Sequence, residues 1–360
     1  MKQIKTYIQY PLNISECSYY KYLILDPPKN VKFVNPSISK GIINNKTKRK
    51  TYNLIKHILK TLTRKFNLSL SNSRFTKTKE QYDLIHCAHC ISSNKSPWVM
   101  DIEWVYQLFI SGVAQNKKKV LPLIESPYCK KILCWTKATQ EGVNKIFPEI
   151  KHKTCVVYPA TPETKIQKIK HKGINLLYVS RLFYEKGGLH ALEVMDRLTK
   201  KYKNVYATLI SQIPSNVKQK YSSNKKLKIM KVIPQERLFK EIYPKADIFI
   251  YPAYIDTFGF AMTEAFSFGL PVVSVEGFSR KEIIHNGKTG FVVANKKVIN
   301  YKIINENIIN KIVDKTSLLI ENNSLRKSMS NNCFEVIKNG KFSIKERNKK
   351  ISKIYQEALK

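Results

Sequence analysis

Short β-rich apolar runs alternate with longer helical patterns along this chain, and few folds admit that alternation. The second half shows it most clearly. "NLLYVS" (175–180), "VYATLIS" (205–211), "LKIMKVI" (227–233), "DIFIYPA" (247–253), "PVVSVE" (271–276) and "GFVVA" (290–294) are spaced like the strands of a doubly wound parallel sheet. Between the first two runs, Leu189, Leu192, Met195 and Leu198 share one helical face. The first half reads the same way with less contrast, with strands expected at 22–26, 31–35, 82–87, 98–103, 131–135 and 154–159. Residues 160–173 are polar and basic without an apolar period, which marks a linker. A chain of 360 residues exceeds the usual size of one hydrophobic core. The expectation is an α/β protein of two Rossmann-like domains, 1–165 and 172–341, followed by an amphipathic helix over 342–359.

Ligands of open α/β sheets sit outside the carboxyl ends of the strands. In the second half the charged residues fall at those ends. Arg181 and Lys186 follow the strand at 175–180. Asp256 follows the strand at 247–253, and Glu264 lies about one turn inside the next helix. Glu282 opens another helix after the strand at 271–276. An arginine grips a diphosphate bidentately and a lysine meets it as a point charge. An ionised carboxylate accepts two hydroxyl hydrogen bonds. A ligand with a ribose, a diphosphate and a sugar would use the whole set. Gly259 permits a tight loop into a helix N-terminus, whose dipole suits an anion.

Four motifs in this half resemble one family. "DTFGFAMTEA" (256–265), running on to Gly269-Leu270-Pro271-Val272-Val273, is similar to a pattern of two glutamates eight apart ending in G-x-P-V-V. "SRLFYEKG" (180–187) is similar to G-R-L-x-x-E-K-G, Ala246–Pro252 to A-D-[IV]-F-[IV]-x-P, and Glu282–Gly290 to E-I-[IV]-x-x-G-x-T-G. Residues 175–294 thus resemble the donor-binding half of a retaining glycosyltransferase of the GT-B fold, in the large family 4 or group 1 class. The resemblance implies two Rossmann-like domains whose parallel sheets face a central cleft, with the terminal helix packing back on the first domain. It implies that Arg181 and Lys186 neutralise the diphosphate of a nucleotide sugar and stabilise charge on the leaving phosphate. It assigns the ribose hydroxyls to Glu264 and those of the transferred sugar to Asp256, with Phe258, Gly259 and Glu282 completing the donor set. No divalent metal and no other cofactor are expected, because the two cations take that role. Asp256 stands where a glutamate is usual, one methylene shorter, and Ser180 where a glycine is common.

The first half is the expected acceptor domain. Relatives carry a glycine-rich loop after their first strand, where this chain has "LILDPPKN". They also carry a His-x-His pair, whose second histidine approaches the sugar. Here the spacing is His86-x-x-His89, and the reading favours His89. Asp101 and Glu103 end an expected strand and are acceptor-side candidates beside His86, with solvated strand-end charges as the plainer reading. Cys87 and Cys90 form a C-x-x-C, which is half a zinc site or a redox pair when a second pair exists. Cys129 and Cys134 make a poor partner for it, so reduced bystander thiols are expected.

The net charge is +38, from 64 Lys+Arg against 26 Asp+Glu. Lysine is spread along the chain among many Asn and Ile residues, which a coding bias explains as well as a binding face does. No compact nucleic-acid motif accompanies it, so nucleic acid is not expected as a partner. One basic stretch stands out. Residues 46–66 set Leu54, Ile55, Ile58, Leu59 and Leu62 against Lys56, Lys60, Arg64 and Lys65. Such a helix either packs its apolar face on the sheet or lies on an anionic membrane. Seven cysteines, an odd number, and a start without an apolar leader suggest a cytoplasmic protein, soluble or peripheral on the inner membrane face. The partners expected are a nucleotide-sugar donor and a sugar, lipid-linked or glycan acceptor. The rival reading is a catalytically degenerate GT-B protein that binds without transfer.

Overall fold

The computed structural model describes residues 3–10, 18–36, 46–66, 68, 70–111, 117–295 and 300–360; the side chains of residues 18, 46–50, 52, 53 and 56 lie outside that description. The chain forms two compact units. One comprises Met1–Ala160 with Ile344–Lys360, the other Thr161–Ser343.

In the first unit, β1 (Ile4–Gln9), β2 (Val31–Phe33), β3 (Leu84–Ala88), β4 (Trp98–Ile102), β5 (Cys129–Cys134) and β6 (Thr154–Val156) form one parallel sheet. Its spatial order is β2-β1-β3-β4-β5-β6. β3 and β4 are buried at every position, as expected of central strands covered on both faces. The run at 22–26, read above as a strand, lies in helix α1 (Ser18–Leu25) apart from Asp26. Tyr19 and Leu23, four residues apart, turn the same face of α1 into the core and are fully buried. β1 was not anticipated; its alternating pattern is short and half polar.

Helix α2 (Lys46–Lys65) is inverted relative to an ordinary surface helix. Thr63 is buried, and Arg64 Nε donates to the Ser111 carbonyl at 3.0 Å. Leu54, Ile55, Ile58, Leu59 and Leu62 are all exposed. The expectation that this helix packs its apolar face on the sheet therefore fails.

In the second unit, β7 (Ile174–Val179), β8 (Val205–Ile210), β9 (Leu227–Met230), β10 (Ile248–Tyr251), β11 (Val272–Val275) and β12 (Gly290–Val293) form the other parallel sheet. Its order is β9-β8-β7-β10-β11-β12. Numbered within the unit this is 3-2-1-4-5-6, so the direction of winding reverses between β7 and β10. Helix α3 (Gly188–Lys201) follows β7 and buries Leu192, Met195 and Leu198. Helix α4 (Phe260–Ser267) follows β10, and the short α5 (Arg280–Ile283) follows β11. The terminal helix α6 (Ile344–Ala358) belongs to the first unit and packs on β4 and β5. The buried Arg347 of α6 donates to the Asp26 carbonyl at 2.6 Å, tying that helix to the end of α1.

Candidate functional site

The switch point of the second sheet gathers most of the residues singled out in this half. After β7 the chain turns on Ser180, whose hydroxyl accepts from the Leu182 amide at 3.2 Å. Arg181 follows on this loop and is exposed. The loop closes at Gly187 with φ 70°, in the left-handed region, where an added Cβ would lie 1.9 Å from the Pro252 carbonyl oxygen. Only glycine lets the loop after β7 approach the end of β10 this closely. The amides of Tyr254 and Ile255 both donate to the Glu185 carbonyl, at 3.1 and 3.0 Å, so the two loops are laced together.

That lacing brings Lys186 onto Asp256. Lys186 Nζ lies 2.8 Å from Asp256 Oδ1, and Tyr251 donates its hydroxyl to Oδ2 at 2.7 Å. Burial, and then the neighbouring Asp256 charge, hold the Tyr251 phenol well above its ordinary pKa, so it remains a donor. Gly259 (φ 82°) passes so close that a Cβ there would stand 2.8 Å from Asp256 Oδ2. Below the loop, the fully buried Arg280 donates to the carbonyls of Asp256 (2.8 Å) and Ala253 (3.1 Å). Burial lowers the Arg280 pKa, and the facing Asp256 charge works against that shift. Glu264, buried in α4, accepts from Gln235 Nε2 at 2.6 Å. The Phe258 ring is fully buried against Phe260, which holds the loop down. Glu282 lies half-buried in α5, and its carbonyl accepts from Lys341 Nζ.

The expected donor set therefore falls into two kinds. Arg181 stands out on an exposed loop, while Lys186, Asp256, Glu264 and Phe258 are locked into the unit. Three partners were missed in the sequence: Tyr251, Gln235 and Arg280. Tyr251 carried a weak signal, as the only hydroxyl in an otherwise apolar strand run. Arg280 carried none that set it apart from its neighbour Lys281.

In the first unit, β3 and β4 pair with Ala88 opposite Asp101. Residues two apart share a face, so His86 and Asp101 become diagonal neighbours. His86 Nε2 lies 2.6 Å from Asp101 Oδ2, and Nδ1 lies 2.5 Å from the Tyr355 hydroxyl of α6. Tyr20 donates to the other Asp101 oxygen. His86 and Asp101 are wholly enclosed by this network. Burial, and secondarily the Asp101 charge, push the Tyr355 phenol well up.

His89 differs. It ends β3 in the left-handed region (φ 53°), rare for a residue with a side chain, and its ring keeps 13% exposure. Its Nδ1 meets Gln107 Oε1 at 3.0 Å and lies 4.0 Å from Asp101. Glu103 is half-buried; its amide donates to Gln107 Oε1 at 3.0 Å. The structure thus makes His86 an interior residue and leaves His89 the one that reaches solvent. Cys87 donates to Gln9 Oε1 at 3.2 Å, and burial pushes its thiol well up, against the thiolate that zinc or redox chemistry needs. Among the described residues, no group of three or more His, Cys, Asp or Glu is placed to hold a metal ion.

Residues 160–336 match the family described as Glycosyl transferases group 1. A Klebsiella pneumoniae protein described as an uncharacterized 41.2 kDa protein in the cps region is 25% identical over 252 residues. The match spans 61% of this chain and 61% of that protein's length. A glycosyltransferase from Rickettsia africae ESF-5 superposes with a TM-score of 0.68 at 16% identity, covering 100% of this chain and 99% of the other. The Anabaena protein HepE, solved with UDP and glucose, superposes with a TM-score of 0.60 at 13% identity, covering 98% and 99%. These similarities place the chain in the GT-B fold. Over residues 160–336, a little under half of the chain, the second unit is similar to a Glycosyl transferases group 1 domain.

Proposed function

We propose that the chain moves a hexosyl group from a nucleotide-diphosphate sugar to a lipid-linked, glycan or small-molecule acceptor, with retention and without a divalent metal. The observation that carries this reading is the pair of loops at the second sheet's switch point. They offer the exposed guanidinium of Arg181 and the ion pair of Lys186 with Asp256, and Glu264 follows in the helix that the second loop enters. In this reading Arg181 and Lys186 neutralise the diphosphate and stabilise charge on the departing phosphate as the glycosidic bond loosens. Glu264 takes the ribose hydroxyls, and Glu282 and Gly259 line the donor. His89 approaches the transferred sugar, while Asp101 holds His86 in place. The solved HepE complex with UDP and glucose supports a nucleotide-sugar donor by likeness of fold. A cytoplasmic location at an anionic membrane face, met by residues 46–66, belongs to the same proposal. Among the described residues no helix is long and apolar enough to cross a membrane.

One observation favours a second reading, in which the chain binds the donor without transferring it. Both oxygens of Asp256 already hold a partner within the unit, Lys186 on one and the Tyr251 hydroxyl on the other, so a sugar hydroxyl would have to share them. Thermal stabilisation by a panel of nucleotides and nucleotide sugars, with and without EDTA, tests the donor site. A shift for one nucleotide that survives EDTA and disappears in Arg181→Ala and Glu264→Ala supports it. Absence of any shift overturns it, and a shift without turnover on any sugar acceptor selects the second reading.

A further inference from the structure

Helix α2 presents to solvent the face that a globular protein normally buries. On a helix turning 100° per residue, Leu54, Ile58, Leu62, Ile55 and Leu59 fall within an arc of about 140°. Each keeps between 42% and 59% of its surface exposed. The apolar strip continues past the helix end into Phe66 and Leu68, which are also exposed. The side turned to the protein is the polar one: Thr63 is buried and Arg64 Nε holds the Ser111 carbonyl. A strip of this size has to be covered by something.

The charge of the helix says by what. Residues 46–65 contain eight Lys or Arg and no Asp or Glu. A second copy would bring two such helices together within a chain of net charge +38, and the charges would repel. A nucleic acid would satisfy the charges and leave the leucines in water. An anionic bilayer satisfies both, since its headgroups take the cations and the acyl boundary takes the apolar strip.

We propose that α2 lies flat in the headgroup region of an anionic bilayer. Leu54, Ile55, Ile58, Leu59 and Leu62 enter the acyl boundary, and Arg64 holds the helix to the first unit through the Ser111 carbonyl, beside the buried Thr63. About 30 Å of helix lies parallel to the surface and none crosses it. The inference deepens the lipid-linked acceptor reading and rests on it only for the acceptor. The binding itself is measured without donor or acceptor, so its failure is distinguishable from failure of the glycosyltransfer reading.

The test uses full-length protein and sedimenting vesicles of phosphatidylcholine, alone or with about 30% phosphatidylglycerol. Wild type is expected to partition at least about tenfold more strongly to the anionic vesicles and to be released by high salt. Ile58→Asp with Leu62→Asp should lose about tenfold or more of that binding, with an unchanged thermal midpoint because both side chains are exposed. Lys65→Glu, a milder change at an exposed position, should weaken binding to anionic vesicles while leaving the apolar strip intact. Equal binding to neutral and anionic vesicles overturns the proposal, and so does binding that survives the double substitution. A wild-type dimer in light scattering that the double variant cannot form, with no vesicle binding by either, assigns the strip to a second copy and also overturns it.

Discussion

Replacing Asp256 by Asn separates two roles for that carboxylate. The side chain is buried, with Lys186 at 2.8 Å on one oxygen and the Tyr251 hydroxyl at 2.7 Å on the other. Asparagine keeps the shape and removes the charge. Its one amide oxygen meets Lys186 as a neutral acceptor, and the Tyr251 hydroxyl has to turn and accept from Nδ2, at a cost of about 1 kcal/mol apiece. Lys186 also loses its counter-ion. Full burial would make that loss about 3–5 kcal/mol, but the lysine side chain keeps 18% exposure, so water recovers part of it. The Lys186 bond and the lost counter-ion are one interaction counted once, so the expected total is about 2–3 kcal/mol. For a unit of this size that lowers the melting temperature by about 4–12 °C. Calorimetry of Asp256→Asn, Lys186→Met and the double variant should give a coupling of at least about 1 kcal/mol. Ligand choice then reads the function. If Asp256 acts by holding Lys186, the substitution weakens a nucleoside diphosphate and its sugar conjugate alike. If it holds sugar hydroxyls, only the additional affinity brought by the sugar disappears. A melting temperature within about 1 °C of wild type, with no coupling, would refute the ion pair and the reasoning built on it.

Four further outcomes are expected. His190 in the first turn of α3 accepts from the Asn305 amide at 3.1 Å, and burial lowers its pKa from 6.5 to about 4. A folded pKa below the unfolded one means stability is complete above pH 6.5 and is lost as pH falls toward 4, by roughly 3 kcal/mol in all; His190→Gln should flatten that melting-temperature profile, and an unchanged slope would exclude His190 as its source. His86→Ala strands Asp101 and the Tyr355 hydroxyl, costing about 3–5 kcal/mol and at least about 6 °C in a melt. His89→Ala should instead leave the melt within about 3 °C while abolishing transfer, and the opposite ranking would exchange the two histidines' roles. Phe278 sits exposed at φ 44°, a conformation that costs a bulky residue about 1–2 kcal/mol and that asparagine tolerates. Phe278→Asn should therefore raise the melting temperature by a few degrees, and a fall would mean that packing of the ring outweighs the strain.

Much of the second unit was legible because its information is local. Its strands carry their own apolar runs, and Gly187 and Gly259 mark left-handed turns by their own identity, even where, as at Gly187, a distant loop imposes the close approach. The first unit was harder. "YLILD" is apolar and β-branched enough to read as a strand, yet Tyr19 and Leu23 bury a helical face that begins before it. The partners that fix the side chains were invisible for a different reason. Tyr355 reaches His86 across 269 positions and Tyr20 reaches Asp101 across 81, and no spacing rule connects such pairs. Amphipathicity announced α2 correctly, but a hydrophobic period fixes only which residues share a face. Whether that face turns inward depends on what the opposite side can bond, and here Arg64 found the Ser111 carbonyl while Thr63 is buried and bonds back to Lys60 of its own helix.

The proposed donor site gains its character from an asymmetry between its two cations. Arg181 is exposed at the start of a loop that a serine turn shapes only locally. Lys186 ends the same loop and is held by a carboxylate, which Tyr251 fixes at its other oxygen and Arg280 supports through the backbone beneath. A charge held in place costs little reorganisation when an anion arrives, and that preorganisation is where electrostatic catalysis finds most of its effect. The shorter side chain at 256 is central to this. Asp256 lies close enough to the backbone of Gly259 that any Cβ there would collide with it, so the carboxylate sits deep, on Lys186. A glutamate in that position would reach one methylene farther out. On the proposed reading, Asp256 sets the position of the cation beside it where the glutamate of the family pattern would grasp a sugar hydroxyl, and the ligand comparison in Asp256→Asn decides between the two.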